Sequence, residues 1–194
     1  VYIRHHRGIT HSIPATLIWP LAITALFSFI FPEANVLHLW LWTQLAVFLH
    51  VFVDIFNAYG TQAFRPFSNK WVALGFINTF DPFIFTAHCI AIIIWAFGGS
   101  AVLIFITLYI LMVIYYIIRF LMQRAIKKAV HNTIQDEDYV IVAPTIKFFH
   151  WRVAAASKTH YYVGRAYRRS ITIYDKFEIH PLPRTPLVDK AMTD

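Results

Sequence analysis

The chain has 194 residues, of which 58% are apolar and 14% charged, with a formal net charge of +7. Soluble domains carry about 25% charged residues, so these proportions exclude an ordinary water-soluble globule. The charges are also unevenly spread: from Ile13 to Ile118 only Glu33, Asp54, Arg65, Lys70 and Asp81 are charged, and most of the rest follow Arg119. A membrane-embedded first two-thirds and a water-facing last third are expected.

The chain opens at Val1 within a polar stretch, so further native sequence upstream is expected. No basic flank, short apolar core and small-residue cleavage site mark a signal peptide. A spanning helix needs about 20 apolar residues to cross roughly 30 Å of hydrocarbon. Four segments fit, at about 13–31, 36–57, 82–97 and 101–120, the third being the shortest. Pro14 falls where a helix start tolerates proline, and Pro20 predicts a kink. The Gly98-Gly99-Ser100 turn separates the third span from the fourth. The loop 58–81 is too polar and broken to span, although Trp71 suits the interface.

After the fourth span, RFLMQRAIKKAVHNT continues as a basic helix leaving the membrane, a flank suited to anionic lipid. The pattern then shortens. DYVIVAP, IKFFHWRVAAA, THYYVGRAY and SITIYDKFEI are rich in β-branched and aromatic residues with partial alternation, which predicts a small antiparallel sheet. The expected architecture is therefore mainly α: a multi-pass transmembrane helical bundle over 1–130, a β domain over 131–180 and a Pro-containing tail over 181–194.

Four spans put the N-terminal stub, the 58–81 loop and everything after 120 on one side. That side carries Arg4, Arg7, Arg65, Lys70, Arg119, Arg124, Lys127 and Lys128 near the membrane, and the other side carries no Lys or Arg. The positive-inside rule makes the basic side cytoplasmic.

One end of this bundle gathers the polar chemistry. On a helix, His50, Asp54 and Asn57 share a face at i, i+4 and i+7. A carboxylate at mid-bilayer costs about 2.5–3.5 kcal/mol, and less near the interface, so Asp54 needs a partner, water or a cation. Imidazole and carboxylate are good donors to Zn²⁺ or Mn²⁺. The topology brings His6 and His11 of HRGITHS, and Asp81 ahead of Pro82, to the same end. Arg7 and Arg65 are suited to an anionic oxygen, and Tyr59 and Gln62 complete a candidate pocket. Alternatives stay open for each element: HxxxD as a hydrogen-bonded structural pair, Thr10 or Ser12 as a helix cap, and Asp81 as a cap of the third span. His38, His88 and the histidines beyond 130 lie outside this cluster.

Other chemistries lack their context. Ser12 and Ser68 are not on the sharp turn of a hydrolase nucleophile. Cys89 lies in an apolar run, where burial raises a thiol's pKa and makes it a poor nucleophile. The basic, tyrosine-rich sheet contains no recognised nucleic-acid motif, so nucleic acid is not an expected partner.

HRGITHS, HVFVDIFNAYGTQAFRPF and DPFIF together resemble the YdjM/YfhP type of bacterial inner-membrane proteins, described as metal-dependent hydrolases, and the YfhP branch in particular. The resemblance implies the bacterial plasma membrane, several spans and a hydrolytic divalent-metal centre, with Zn expected before Mn or Mg. Its motif positions fall on His6, His11, His50, Asp54 and Asp81. It also implies an upstream stretch with another His and a Pro-Asp-x-Asp motif, which lies outside this sequence. A more distant likeness to all-helical zinc phospholipases and nucleases tilts the expected substrate toward phosphoesters or lipid-derived molecules. The competing expectation is a non-catalytic membrane regulator or scaffold whose β domain binds a protein and whose polar cluster is structural. A transporter is disfavoured, because the opposite side offers only Glu33 and no partner cluster for alternating access.

Overall fold

A computed structural model describes residues 7–134 and 137–180. Four helices precede a sheet: α1 (Ile13–Ile30), α2 (Val36–Asp54), α3 (Pro82–Ala96) and α4 (Ala101–Thr133), then β1 (Glu137–Pro144), β2 (His150–Ser157), β3 (His160–Tyr167) and β4 (Ser170–Glu178). Three helices, α1, α2 and α4, are long and apolar enough to cross a membrane. The remaining apolar segment, α3, has 15 residues. At 1.5 Å per residue that is roughly 22 Å, short of the hydrocarbon thickness.

The helix starts are encoded by short polar side chains that take up backbone N–H groups left over in a first turn. Ser12 accepts from Ala15 N ahead of α1, Asn35 from His38 N ahead of α2, and Asp81 from Phe83 N and Ile84 N ahead of α3. Pro14 and Pro82 occupy first-turn positions, where a missing N–H costs nothing. Pro20 is accommodated inside α1 without ending it. At the α3–α4 turn Gly98 takes φ +91°, a conformation that favours glycine.

Contacts divide the chain into two compact units. One holds the described residues up to Leu121 together with Ala143–Phe148. The other holds Met122–Val142 and the described residues from Phe149 onward. The division falls inside α4.

In the first unit, α1 packs against α2, and Gln44 Nε2 donates to Thr16 O across the pair at 3.0 Å. Ala91 of α3 and Leu108 and Met112 of α4 form a core patch with Ile84, Ala87, Ile104 and Phe105 around it. Outward faces are apolar almost throughout, as at Ile18, Leu21, Phe29, Ile92 and Val113. Such continuous apolar exposure belongs to helices whose surroundings are hydrocarbon. Of the basic residues counted for sidedness, Arg119 is buried: its Nε donates to Phe76 O and its Nη1 to Phe148 O at 2.6 Å.

In the second unit the sheet is an antiparallel meander in the order β1-β2-β3-β4. Trp151, Val153 and Ala155 of β2 alternate inward, and Trp151 pairs with Ala166 of β3. A bulge at Val163/Gly164 shifts the β3–β4 register. Gln123 Nε2 donates to Val142 O at 3.0 Å, fixing the start of this unit to its first strand. The expected tail over 181–194 lies outside the described residues.

Candidate metal centre

The loop between α2 and α3 folds back and clasps the stub ahead of α1. Thr61 and Val72 form an antiparallel bridge, each N–H reaching the other's carbonyl at 2.9 Å. Gln62 N and Thr61 Oγ1 both donate to Arg7 O, and Ile13 N donates to Arg65 O. The stub and the 55–81 loop therefore share one end of the α1–α2 pair. A 3₁₀ turn at Ile9–His11 then aims His11 inward, leaving it only 4% exposed.

That path ends on Asp54, the last residue of α2, whose two oxygens have different partners. Oδ1 accepts from Asn57 Nδ2 at 2.9 Å and faces Arg7 Nη1 at 3.4 Å. Oδ2 faces His11 Nε2 at 3.1 Å and His50 Nε2 at 3.9 Å. The helix supplies the His50–Asp54 spacing; the clasped stub supplies His11. One donor atom from each of the three residues lies within 4.8 Å of the others.

This donor set fits a divalent cation. A tetrahedral shell of radius about 2.0–2.1 Å separates its ligands by about 3.3 Å. The His11–Asp54 pair is already that close, and the exposed His50 side chain has room to close the remainder. Thr10 Oγ1 lies 3.0 Å from His11 Nδ1. A neutral His11 ligating through Nε2 carries its proton on Nδ1 and donates it to Thr10, an outer contact that fixes a ligand imidazole's tautomer and orientation.

The remaining sequence candidates are distributed around this triangle. Arg7 Nη1 donates to Asn57 Oδ1 and Gly60 O, and its guanidinium lies 5.5 Å from the Tyr59 ring centre. Asn57 Oδ1 also accepts from Tyr59 N and Gly60 N, so both ends of its amide are engaged within the loop. Asn57 is a positioning residue here. Gly60 has φ +61°, and a Cβ there would stand 2.2 Å from Val72 O, so the turn admits only glycine. Arg65 Nε donates to Asn69 Oδ1 and Gln62 Nε2 to Asn69 O, on the exposed side of the loop.

Asp81 stands apart from the triangle. Its Oδ1 caps α3, and its Oδ2 accepts from Tyr115 OH at 2.7 Å. It meets Asp54 only across a cleft of about 390 Å³, whose lining includes Asn57, Asn78, Thr79 and His88. Tyr59, Gln62 and Arg65 do not line this cleft. His6 lies outside the described residues. Tyr115 and the bracing role of Thr10 had no sequence signal, because a tyrosine in an apolar helix and a threonine beside a cap are both commonplace.

The YdjM inner membrane protein family matches residues 1–126, and the YfhP middle domain matches residues 135–177. The chain belongs to the YdjM inner membrane protein family. Protein YfhP of Bacillus subtilis (strain 168) is 55% identical over 195 residues, covering 100% of this chain and 60% of that relative's length. The chain thus spans about three-fifths of the curated relative it matches. No solved structure matches it. All three triad residues lie in the part matched by the YdjM family, and the sheet is the part matched by the YfhP middle domain.

Proposed function

We propose that this YdjM-family chain is the membrane part of a metal-dependent hydrolase acting on a phosphoester or lipid-derived substrate. The observation that carries the reading is the convergence of His11, His50 and Asp54 from two separate stretches onto one small volume. Three protein donors in a four-position shell leave one position for water or substrate, the pattern of a catalytic rather than a closed structural site. Zinc suits two imidazoles and a carboxylate best, with Mn or Mg as alternatives. His6, adjacent to Arg7, is a further proposed ligand, and with it the shell holds four side chains plus a water in five positions.

A divalent cation, when bound, supplies Lewis acidity and lowers the pKa of water at neutral pH. The chain's own residues prepare the place for it. Arg7 and Asn57 hold Asp54 Oδ1, turning Oδ2 toward the two imidazoles. Thr10 sets the His11 ring. Arg7 also keeps positive charge beside the site, which favours an anionic phosphoryl group. The basic residues at this end support a cytoplasmic site shared by the stub and the 58–81 loop, and the C-terminus joins that side when α3 crosses as a short fourth span.

One observation favours a second reading. Arg7, Asp54 and Asn57 already satisfy one another, as a structural cluster would in a regulator or scaffold that engages a protein through its β domain. Metal analysis of the purified protein separates the two. The hydrolase reading expects stoichiometric transition metal, and metal-dependent phosphoester cleavage abolished by Asp54→Ala. Trace metal unchanged by His50→Ala favours the scaffold.

A further inference from the structure

Between α1 and α2 lies an apolar groove of about 700 Å³, walled by Trp19, Ile23 and Phe27 on α1 and Leu39, Trp42 and Val47 on α2. Its lining also includes Thr10, His11 and His50, so it runs from the span interior to the triad. From Leu39 to His50, α2 advances roughly 16 Å at 1.5 Å per residue. Half of a bilayer's hydrocarbon core is about 15 Å. The groove is therefore as long as one leaflet's acyl layer is deep, and its polar end coincides with the only triad of this kind among the described residues. A second apolar hollow, of about 670 Å³, lies along α4 and is lined by Val102, Ile106, Tyr109, Ile110 and Val113 among others. It comes from a single helix and reaches no titratable cluster, so it represents an ordinary lipid-facing surface.

We propose that the α1–α2 groove seats one acyl chain of a membrane phospholipid, which brings that lipid's ester and phosphoester region to His11, His50 and Asp54. Close packing of chain methylenes against the groove, rather than their removal from water, supplies the preference for this seat over bulk bilayer, because lipid tails are already in hydrocarbon, while the aromatic walls fix the chain's path. The reading of the triad as a hydrolytic centre rests on the proposal above, whereas the seat itself is measurable without turnover.

The test uses the chain in bilayer nanodiscs containing a trace of phosphatidylglycerol with a mid-chain diazirine. Photo-adducts are mapped by peptide mass spectrometry, and metal content is measured on the same samples. Adducts should concentrate on Trp19–Phe27 and Leu39–Val47 by roughly tenfold over the α4 hollow, the excess expected of a seat that packs the chain from two helices rather than one. Ala46 lines the groove; Ala46→Trp should erase the excess and the smaller Ala46→Ile should reduce it. Leu45→Trp, at an exposed position outside the groove, should leave it unchanged. Equal labelling of the α4 hollow, or an excess indifferent to both Ala46 variants, overturns the seat, as does a groove shielded from the probe by protein. An excess without bound metal sinks the hydrolytic reading and keeps the seat; bound metal without an excess does the reverse.

Discussion

His11 Nε2 stands 3.1 Å from Asp54 Oδ2, joining the stub ahead of the first span to the last residue of the second. The contact exists because the 55–81 loop clasps the stub through Arg7 O. A change in the loop therefore reaches the triad even where it touches no ligand.

Asp54→Asn keeps the size of the side chain and its contact with Asn57 but removes the negative ligand. Zinc affinity, read by chelator competition, should fall at least about 100-fold, the upper end of what outer-shell losses cost. An unchanged affinity would remove Asp54 from the ligand set.

Thr10→Val deletes the partner of His11 Nδ1 while preserving shape. Metal affinity should drop about 10–100-fold. Thermal stability should change by no more than one modest hydrogen bond, about 1 kcal/mol. A stability loss with full affinity would make Thr10 a folding residue only.

Asp81→Asn retains a good helix cap and should leave metal content intact. Tyr115→Phe strands Asp81 Oδ2, so thermal denaturation should report about 1–3 kcal/mol of destabilisation, again with metal retained. Loss of metal in Asp81→Asn would move Asp81 into the coordination shell.

Gly60→Ala places a methyl against Val72 O and strains a left-handed backbone. A cost of about 1–3 kcal/mol is expected, accompanied by weaker metal binding, since Arg7 and Asn57 both lean on this turn. Wild-type melting and affinity would refute the coupling of loop to site.

Arg7→Met removes the guanidinium beside the Asp54 carboxylate, while Asn57 and His11 stay in place, so thermal denaturation should report about 1–3 kcal/mol of destabilisation. Added zinc should restore part of it by binding the folded state.

Hydropathy and local periodicity determined much on their own. Apolar runs long enough to cross a bilayer, Ser12 and Asp81 as caps, and alternating residues from Tyr139 to Phe177 are all local signals, decided by neighbours within a turn or a strand. The i, i+4 spacing also put His50 and Asp54 on one helix face before any fold was known, and the capping alternative kept open for Asp81 is the one its hydrogen bonds occupy. What only the tertiary structure decided was the division of Asp54 between two sets of partners, the full engagement of Asn57, and the pull of Tyr115 on Asp81. The first and third depend on contacts between segments far apart in sequence, and the second on how the loop turns behind α2 and meets Arg7. Directional bonds of that kind leave no periodicity along the chain, because their geometry is set by how the loop closes rather than by which residues it contains.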